Sequence, residues 1–448
     1  MRAKYSVGLQ WPIVFLTAII LLAADGAVFA SGSSESSAKS TSAPVTITVA
    51  GSQEFHVSTN SWYYYQPTIN AFEAQNPGVT VQLLLLPDPQ TTQTLQTQLA
   101  TGEPSDIMFY NKVSAENELD AETNMTDLST QPWVGRLKQP SLLTSPNGKI
   151  YGFNPVVPTD GQGIAYNVDI FKKLNLSPPT TYQQLLSVCD TLKANGYTPF
   201  YGPFKDVWTF QIWPTDVWGV YAAKQNPGLW DKINKNQVKW TDVPELTDLL
   251  SRGENLVQKG YFQPSALSDD YNGAPAAMSS GKYGMIIIGG VVFISDMAKK
   301  DPSLHLGFFP MPAFDDPSMN IIAQSQLGPL LFVPKQGKHV SVAEKFINFI
   351  SQQSQIQTVT SVPEQSFLPN LKDVPAPTLQ PINQQVYDNY VKSGKVATEA
   401  NAYMKVDLND LWKYYQDMIG GTMTPTQVMQ AWNGKFDELM KAKGFPGF

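Results

Sequence analysis

Apolar and polar residues alternate through Val45-Thr46-Ile47-Thr48-Val49, a pattern that predicts a half-buried strand ending in the loop Gly51-Ser52-Gln53-Glu54. Residues 62–75 carry apolar side chains at helical spacing and stop at Asn76-Pro77-Gly78. A second strand is expected over 79–83, a helix over 90–100 ended by Thr101-Gly102, and a third strand over 106–110. Strands and helices alternating at these lengths form a βαβ pattern, which predicts a mainly parallel sheet.

Farther along, 163–167, 284–288 and 304–310 read as strands. Helices are expected over 180–195, opened by Pro178-Pro179-Thr180 and closed at Gly196, and over 244–259 and 340–352. The tail from 397 to 441 reads as helical, with one turn at Gly420-Gly421-Thr422. No internal repeat is found.

The start of the chain reads differently. Arg2 and Lys4 precede an apolar run over 11–24, and Val28-Phe29-Ala30 offers small residues at cleavage positions. This is the pattern of a secretory signal peptide over 1–30. The run meets Asp25 and falls short of the roughly 20 apolar residues a bilayer span needs. No cysteine stands at the junction, so a lipid anchor is not expected. Residues 31–44 are small and polar with nothing to bury, and read as a disordered leader.

At about 150 residues per domain, the remainder suggests two or three domains. The net charge is −7. That balance counts against nucleic acid or anionic lipid as a partner, because both reward a basic face. Cys189 is the single cysteine, so no disulfide can close within the chain. Leu185, Leu186 and Leu192 share its helical face, which makes it a buried thiol. His56, His305 and His339 are far apart, and no zinc-site spacing occurs. Nucleophile-elbow, P-loop and HExxH motifs are absent. No metal or cofactor is therefore expected. What the chain does carry is 10 Trp and 19 Tyr, whose faces can stack on sugar rings.

Several segments, in order, resemble the carbohydrate-binding family of extracellular solute-binding proteins around maltose-binding protein. They include Phe72-Glu73-Ala74-Gln75-Asn76-Pro77-Gly78-Val79, Thr101-Gly102-Glu103-Pro104-Ser105-Asp106-Ile107 and Gly148-Lys149-Ile150-Tyr151-Gly152. Tyr166-Asn167 with Phe171-Lys172-Lys173-Leu174, Ala276-Ala277-Met278-Ser279-Ser280-Gly281-Lys282-Tyr283-Gly284 and Thr424-Pro425-Thr426 follow. The resemblance implies an α/β periplasmic-binding-protein fold of type II, with two lobes and three crossings near 157–160, 325–328 and 370–375. Lobe one would hold 45–157 and 328–372, and lobe two 160–325 and 376–448. It further implies a sugar receptor of an ABC importer, monomeric and periplasmic, that closes on a neutral carbohydrate and presents it to the permease transmembrane subunits.

The same resemblance nominates ligand contacts. Glu54 and Trp62 follow the first strand, Tyr110 and Asn111 end the third, and Asp160 sits in the first crossing as a hydroxyl acceptor. Trp208, Phe210 and Trp213 form an aromatic cluster of which at least one is core. Gly289-Gly290 would let backbone approach the ligand, Gln326 and Phe367 flank later crossings, and Trp412 would reach in from the tail beside Tyr414 and Tyr415. The Trp usual after the paired glycines is Val291 here, with Phe293 two residues on, which counts against a glucose-type oligosaccharide. Two other readings stand beside this one. The fold could take a polyol, a glycerol phosphodiester, a uronate or a peptide, or a secreted glycosidase could use Asp106 and Asp160 as paired carboxylates. A phosphate or uronate would call for arginine, and arginine is scarce, at Arg2, Arg136 and Arg252.

Overall fold

The computed structural model describes residues 43–52, 66–87, 90–324, 329–361, 367–406 and 411–448. The expected signal peptide, Glu54, Trp62 and Gln326 lie outside them. The strands are β1 (Val45–Ser52), β2 (Val79–Leu86), β3 (Ile107–Tyr110), β4 (Gly152–Phe153), β5 (Val156–Pro158) and β6 (Gly163–Asn167). After these come β7 (Thr198–Tyr201), β8 (Tyr283–Ile288), β9 (Leu306–Phe309), β10 (Ile322–Gln324), β11 (Leu330–Phe332), β12 (Phe367–Pro369) and β13 (Val396–Thr398). Helices named below are α1 (Gln66–Gln75), α2 (Thr91–Ala100), α3 (Lys112–Glu118), α4 (Tyr182–Ala194), α5 (Val207–Gln225) and α6 (Pro244–Gln258). The rest are α7 (Val292–Lys300), α8 (Val340–Ile350), α9 (Trp412–Ile419) and α10 (Pro425–Ala442).

Two mixed sheets organise two lobes. The first has the order β2-β1-β3-β11-β4. The β1–β2 and β1–β3 pairs are parallel, as the βαβ pattern requires, but β11 runs antiparallel between β3 and β4. Unlike β2 and β3, β11 enters from the other lobe, so no crossover helix fixes its direction. The sheet is therefore mixed rather than mainly parallel. The second sheet has the order β7-β8-β6-β9, with only β7–β8 parallel.

The chain passes from the first sheet to the second between β5 and β6, and returns between β10 and β11. Short ribbons mark these passages: β5 pairs antiparallel with β12, and β10 pairs parallel with β13. The lobes also touch at α3, where Asn117 Nδ2 donates to the Met404 carbonyl at 2.9 Å and Lys443 Nζ to the Asn117 carbonyl at 3.2 Å.

Local chemistry explains where elements begin. Asn167 and Thr181 accept backbone N–H bonds at the starts of their helices. Thr424 and Gln427 form a reciprocal capping box with Pro425 in the first turn of α10. The strand β13 corrects the expectation of a helical tail from 397. Three residues cannot show a strand period, and only pairing with β10 and burial of Ala397 hold them extended.

The second lobe's core holds Trp218, Trp230, Trp240, Trp412 and Trp432 in mutual contact, with ring centroids 5.0 to 5.6 Å apart. Such contacts add about 0.5–1.5 kcal/mol per pair beyond area burial. The long helix α5 runs through this core, buried on nearly every face. It tolerates Pro214 within it and comes so close to β13 that a Cβ on Gly219 would stand 2.4 Å from the Thr398 carbonyl oxygen. Cys189 is fully buried, and burial pushes its thiol up from the ordinary range, which leaves it inert.

Candidate ligand-binding site

The site residues follow from where strands end. In the second lobe, β8 ends at Gly289-Gly290 and α7 begins immediately after. Asp160, which leads from β5 into β6, meets this turn. Its Oδ2 accepts the Val291 N–H at 2.6 Å, and its backbone carbonyl accepts Gln324 Nε2 at 3.0 Å. Burial pushes the Asp160 carboxyl up to about 7, against the opposing pull of the Val291, Val292 and Asp160 N–H groups.

Beside that turn stands an aromatic triangle. Trp208, in the first turn of α5, stacks on Phe293 at 5.9 Å and 20° and meets Tyr271 edge-on at 5.1 Å. Tyr271 and Phe293 are 5.0 Å apart, and all three rings are half-buried. Val291 is fully buried in apolar surroundings. The ring absent at Val291 thus has a counterpart at Phe293, one helical step into α7. Sequence reasoning missed Tyr271 altogether, since a lone Tyr in a polar loop carries no signal.

Trp213 and Trp412 belong to the core rather than to an open face. Trp213 Nε1 donates to the Leu249 carbonyl at 2.9 Å, and its ring fills the space above Gly253. Phe210 is buried against Phe204. Trp412 stacks on Tyr415 and is 2% exposed. The family resemblance points both tryptophans at the ligand, but ordinary burial of large rings holds them in the core.

In the first lobe, the Tyr110 hydroxyl donates to Glu118 Oε2 at 3.0 Å and bonds Thr92 Oγ1 at 2.5 Å. Asn111, half-buried, starts α3, and its carbonyl accepts the Ala115 N–H. Asp106 has a framework role: it accepts from the Thr48 N–H, the Thr48 hydroxyl and the His339 N–H at 2.9, 3.2 and 3.0 Å. Phe367 is in β12, paired with Pro158.

A polar group lies beneath the passages on the second lobe's side. Gln162 donates its N–H to the Ala323 carbonyl at 2.8 Å and its side-chain amide to Glu399 at 2.6 Å. The Glu399 N–H donates to the Gln324 carbonyl. Asp216 of α5 is fully buried, and neither carboxylate oxygen has a hydrogen-bond partner among the described residues. Burial pushes its carboxyl well up; the nearby Ala323 N–H, outside hydrogen-bond geometry, offsets this in part, and the charge of Glu399 adds to it. Both described arginines are committed elsewhere, Arg136 to Asp373 and the Ser351 carbonyl, and Arg252 to Asp248, Asp315 and the Ala313 carbonyl. No group of acidic, His or Cys side chains among the described residues could hold a metal ion.

The sequence profile of the family described as bacterial extracellular solute-binding protein matches residues 58–355. The chain belongs to this family. It is a family of binding proteins, not of enzymes. A binding protein of Brucella abortus is 26% identical over 267 residues, 56% of this chain and 60% of the relative. The match thus spans about three-fifths of that relative's length. The multiple sugar-binding protein of Streptococcus mutans is 23% identical over 63% of this chain and 66% of its own. A sugar transporter protein of Bacillus licheniformis, solved in complex with stachyose, superposes with a TM-score of 0.70 at 21% identity. It covers 88% of this solute-binding protein and 100% of its own chain, which shows the shared two-lobed periplasmic-binding-protein fold. Among the described residues, no helix is long and apolar enough to cross a membrane.

Proposed function

We propose that this solute-binding protein is the receptor of an ABC importer, and that it holds a neutral oligosaccharide between its lobes and delivers it to the permease by hinge closure. The observation that carries this reading is the half-buried triangle of Trp208, Tyr271 and Phe293 beside Gly289-Gly290. Apolar ring faces next to the partly exposed Gly289 suit a sugar ring, whose C–H face is apolar and whose rim carries hydroxyls. Commitment of Arg136 and Arg252 to internal ion pairs supports a ligand without charge. The sugar-binding relative of Streptococcus mutans and the stachyose-bound neighbour support the same class.

Tyr110 and Asn111 would face the ligand from the first lobe, together with Glu54 and Trp62, and Gln326 would do so from the passage between the lobes. Under this reading one lobe holds 45–157 with 328–372 and the other 160–325 with 376–448. It also places the protein in the periplasm after loss of residues 1–30.

A thermal-shift screen against neutral oligosaccharides, with stachyose as first probe, tests the reading. A ligand at 100 times its dissociation constant should add about 2.7 kcal/mol of stability. A shift with one neutral class and no product on standing is expected. Absence of any shift with sugars, together with a shift from a polyol, a glycerol phosphodiester or a peptide, would replace the sugar with that solute.

A further inference from the structure

A carboxylate offers about four acceptor positions. At Asp160 these are largely used within the protein. Val291 donates to Oδ2 at 2.6 Å, and the Val292 and Asp160 N–H groups also bear on the carboxylate. The first two are N–H groups at the start of α7, where no partner exists inside the helix. Gly290 lies against the same oxygen, since a Cβ there would stand 3.4 Å from Oδ2. The backbone carbonyl of Asp160 is taken by Gln324 from the returning passage, and the residue is only 8% exposed. Immediately after the two N–H groups comes Phe293, whose own N–H donates to the Gly290 carbonyl and whose ring stacks on Trp208. A continuous line of contacts therefore runs from the passage between lobes, through one carboxylate, to the aromatic triangle.

We propose that Asp160 is a positioning residue: its carboxylate fixes the first turn of α7 and thereby the Trp208–Tyr271–Phe293 triangle, instead of accepting a ligand hydroxyl. The proposal rests on the solute-binding reading for its functional consequence, but its structural half stands without a ligand. It changes which substitution should hurt. A direct acceptor depends on the charge of the carboxylate, whereas a positioning acceptor depends on an oxygen held at that place.

The test compares Asp160→Asn, which keeps one acceptor oxygen at the same reach, with Asp160→Ala, which removes it. Two quantities are read on the whole protein: near-UV circular dichroism without ligand, and the dissociation constant for stachyose by calorimetry. Expected for the Asn variant are an unchanged aromatic spectrum and affinity within about threefold of the parent. Expected for the Ala variant are an altered spectrum and affinity weaker by about tenfold or more. Tenfold loss in the Asn variant with an unaltered spectrum would overturn the proposal and make the carboxylate a ligand contact. An Ala variant that matches the parent in both readouts would also overturn it. Should the Ala variant fail to fold, Asp160→Val replaces it under the same expectations, while Asp160→Ser, whose hydroxyl is a competent helix-start acceptor, should retain the spectrum. If the parent does not bind stachyose, the sugar reading fails for that probe, and the ligand-free spectra of the Asn and Ala variants still decide the positioning role.

Discussion

Trp208 and Trp213 stand five residues apart on one helix and meet opposite surroundings. Trp208, in the first turn of α5, keeps its ring half-exposed against Phe293 and Tyr271. Trp213 buries its ring against Gly253 and satisfies its N–H on Leu249. Deeper in the same helix, Asp216 lacks a hydrogen-bond partner among the described residues and Gly219 nearly touches β13. One helix thus offers a partly exposed aromatic face at its start and a tightly fitted strut in its interior. The lesson is that residue type does not separate the two; depth along the helix does.

The largest effect is expected at Trp213. Trp213→Ala should cost about 3–5 kcal/mol in urea unfolding, because a buried ring leaves a cavity and the Leu249 carbonyl loses its donor. A loss under about 1 kcal/mol would mean that the interior is as plastic as the first turn. Next comes Gly219→Ala, where the added methyl meets a backbone oxygen at 2.4 Å and the helix or strand must shift. The expected loss is about 1–3 kcal/mol, read from the same unfolding curves.

Asp216→Asn should act with the opposite sign. Burial raises the folded-state carboxyl above the unfolded value of 3.8. The native chain therefore binds the proton more tightly, and the stability this gives is fully present below 3.8 and lost as pH rises through the folded value. Asn has no such slope. Melting temperatures followed from pH 4 to 8 should show the variant gaining steadily on the parent as pH rises. Parallel profiles would show that Asp216 does not titrate differently on folding.

The smallest stability effect is expected at Trp208. Trp208→Ala should melt within about 1.5 kcal/mol of the parent, yet weaken about tenfold the binding of whichever solute stabilises the parent in the thermal-shift screen, read by calorimetry. Equal loss at Trp208 and Trp213 in both measurements would erase the distinction between surface and strut.

Much of the framework was legible in the sequence. The alternation at 45–49 and the stop at Asn76-Pro77-Gly78 announced β1 and α1, and the short apolar runs at 163–167 and 284–288 announced strands of the second sheet. The helix α5 was not legible as a helix. Its residues are apolar on every face and interrupted by Pro214 and Gly219, so neither a 3.6-residue period nor a clean start and stop is visible. That blindness explains the misplacement of Trp213. On a recognised helix, five residues separate two side chains by about 140°, and Trp208 and Trp213 could not have shared a face. The surroundings of Asp160 were hidden for another reason: its partners, Val291 and Gln324, lie 131 and 164 residues away. Asp216 did leave a trace, as a lone carboxylate in an apolar run, but its burial could be read only from the packed helix.

The tryptophan cluster of the second lobe has an optical consequence. The tryptophans packed in or around that lobe's core are Trp208, Trp213, Trp218, Trp230, Trp240, Trp412 and Trp432, whereas among the described residues only Trp133 belongs to the core of the first. Among the described residues, tryptophan fluorescence is therefore weighted seven to one toward the second lobe. Unfolding followed by emission will trace the second lobe, while a backbone signal will trace both. Any interval between the two curves measures how independently the lobes come apart.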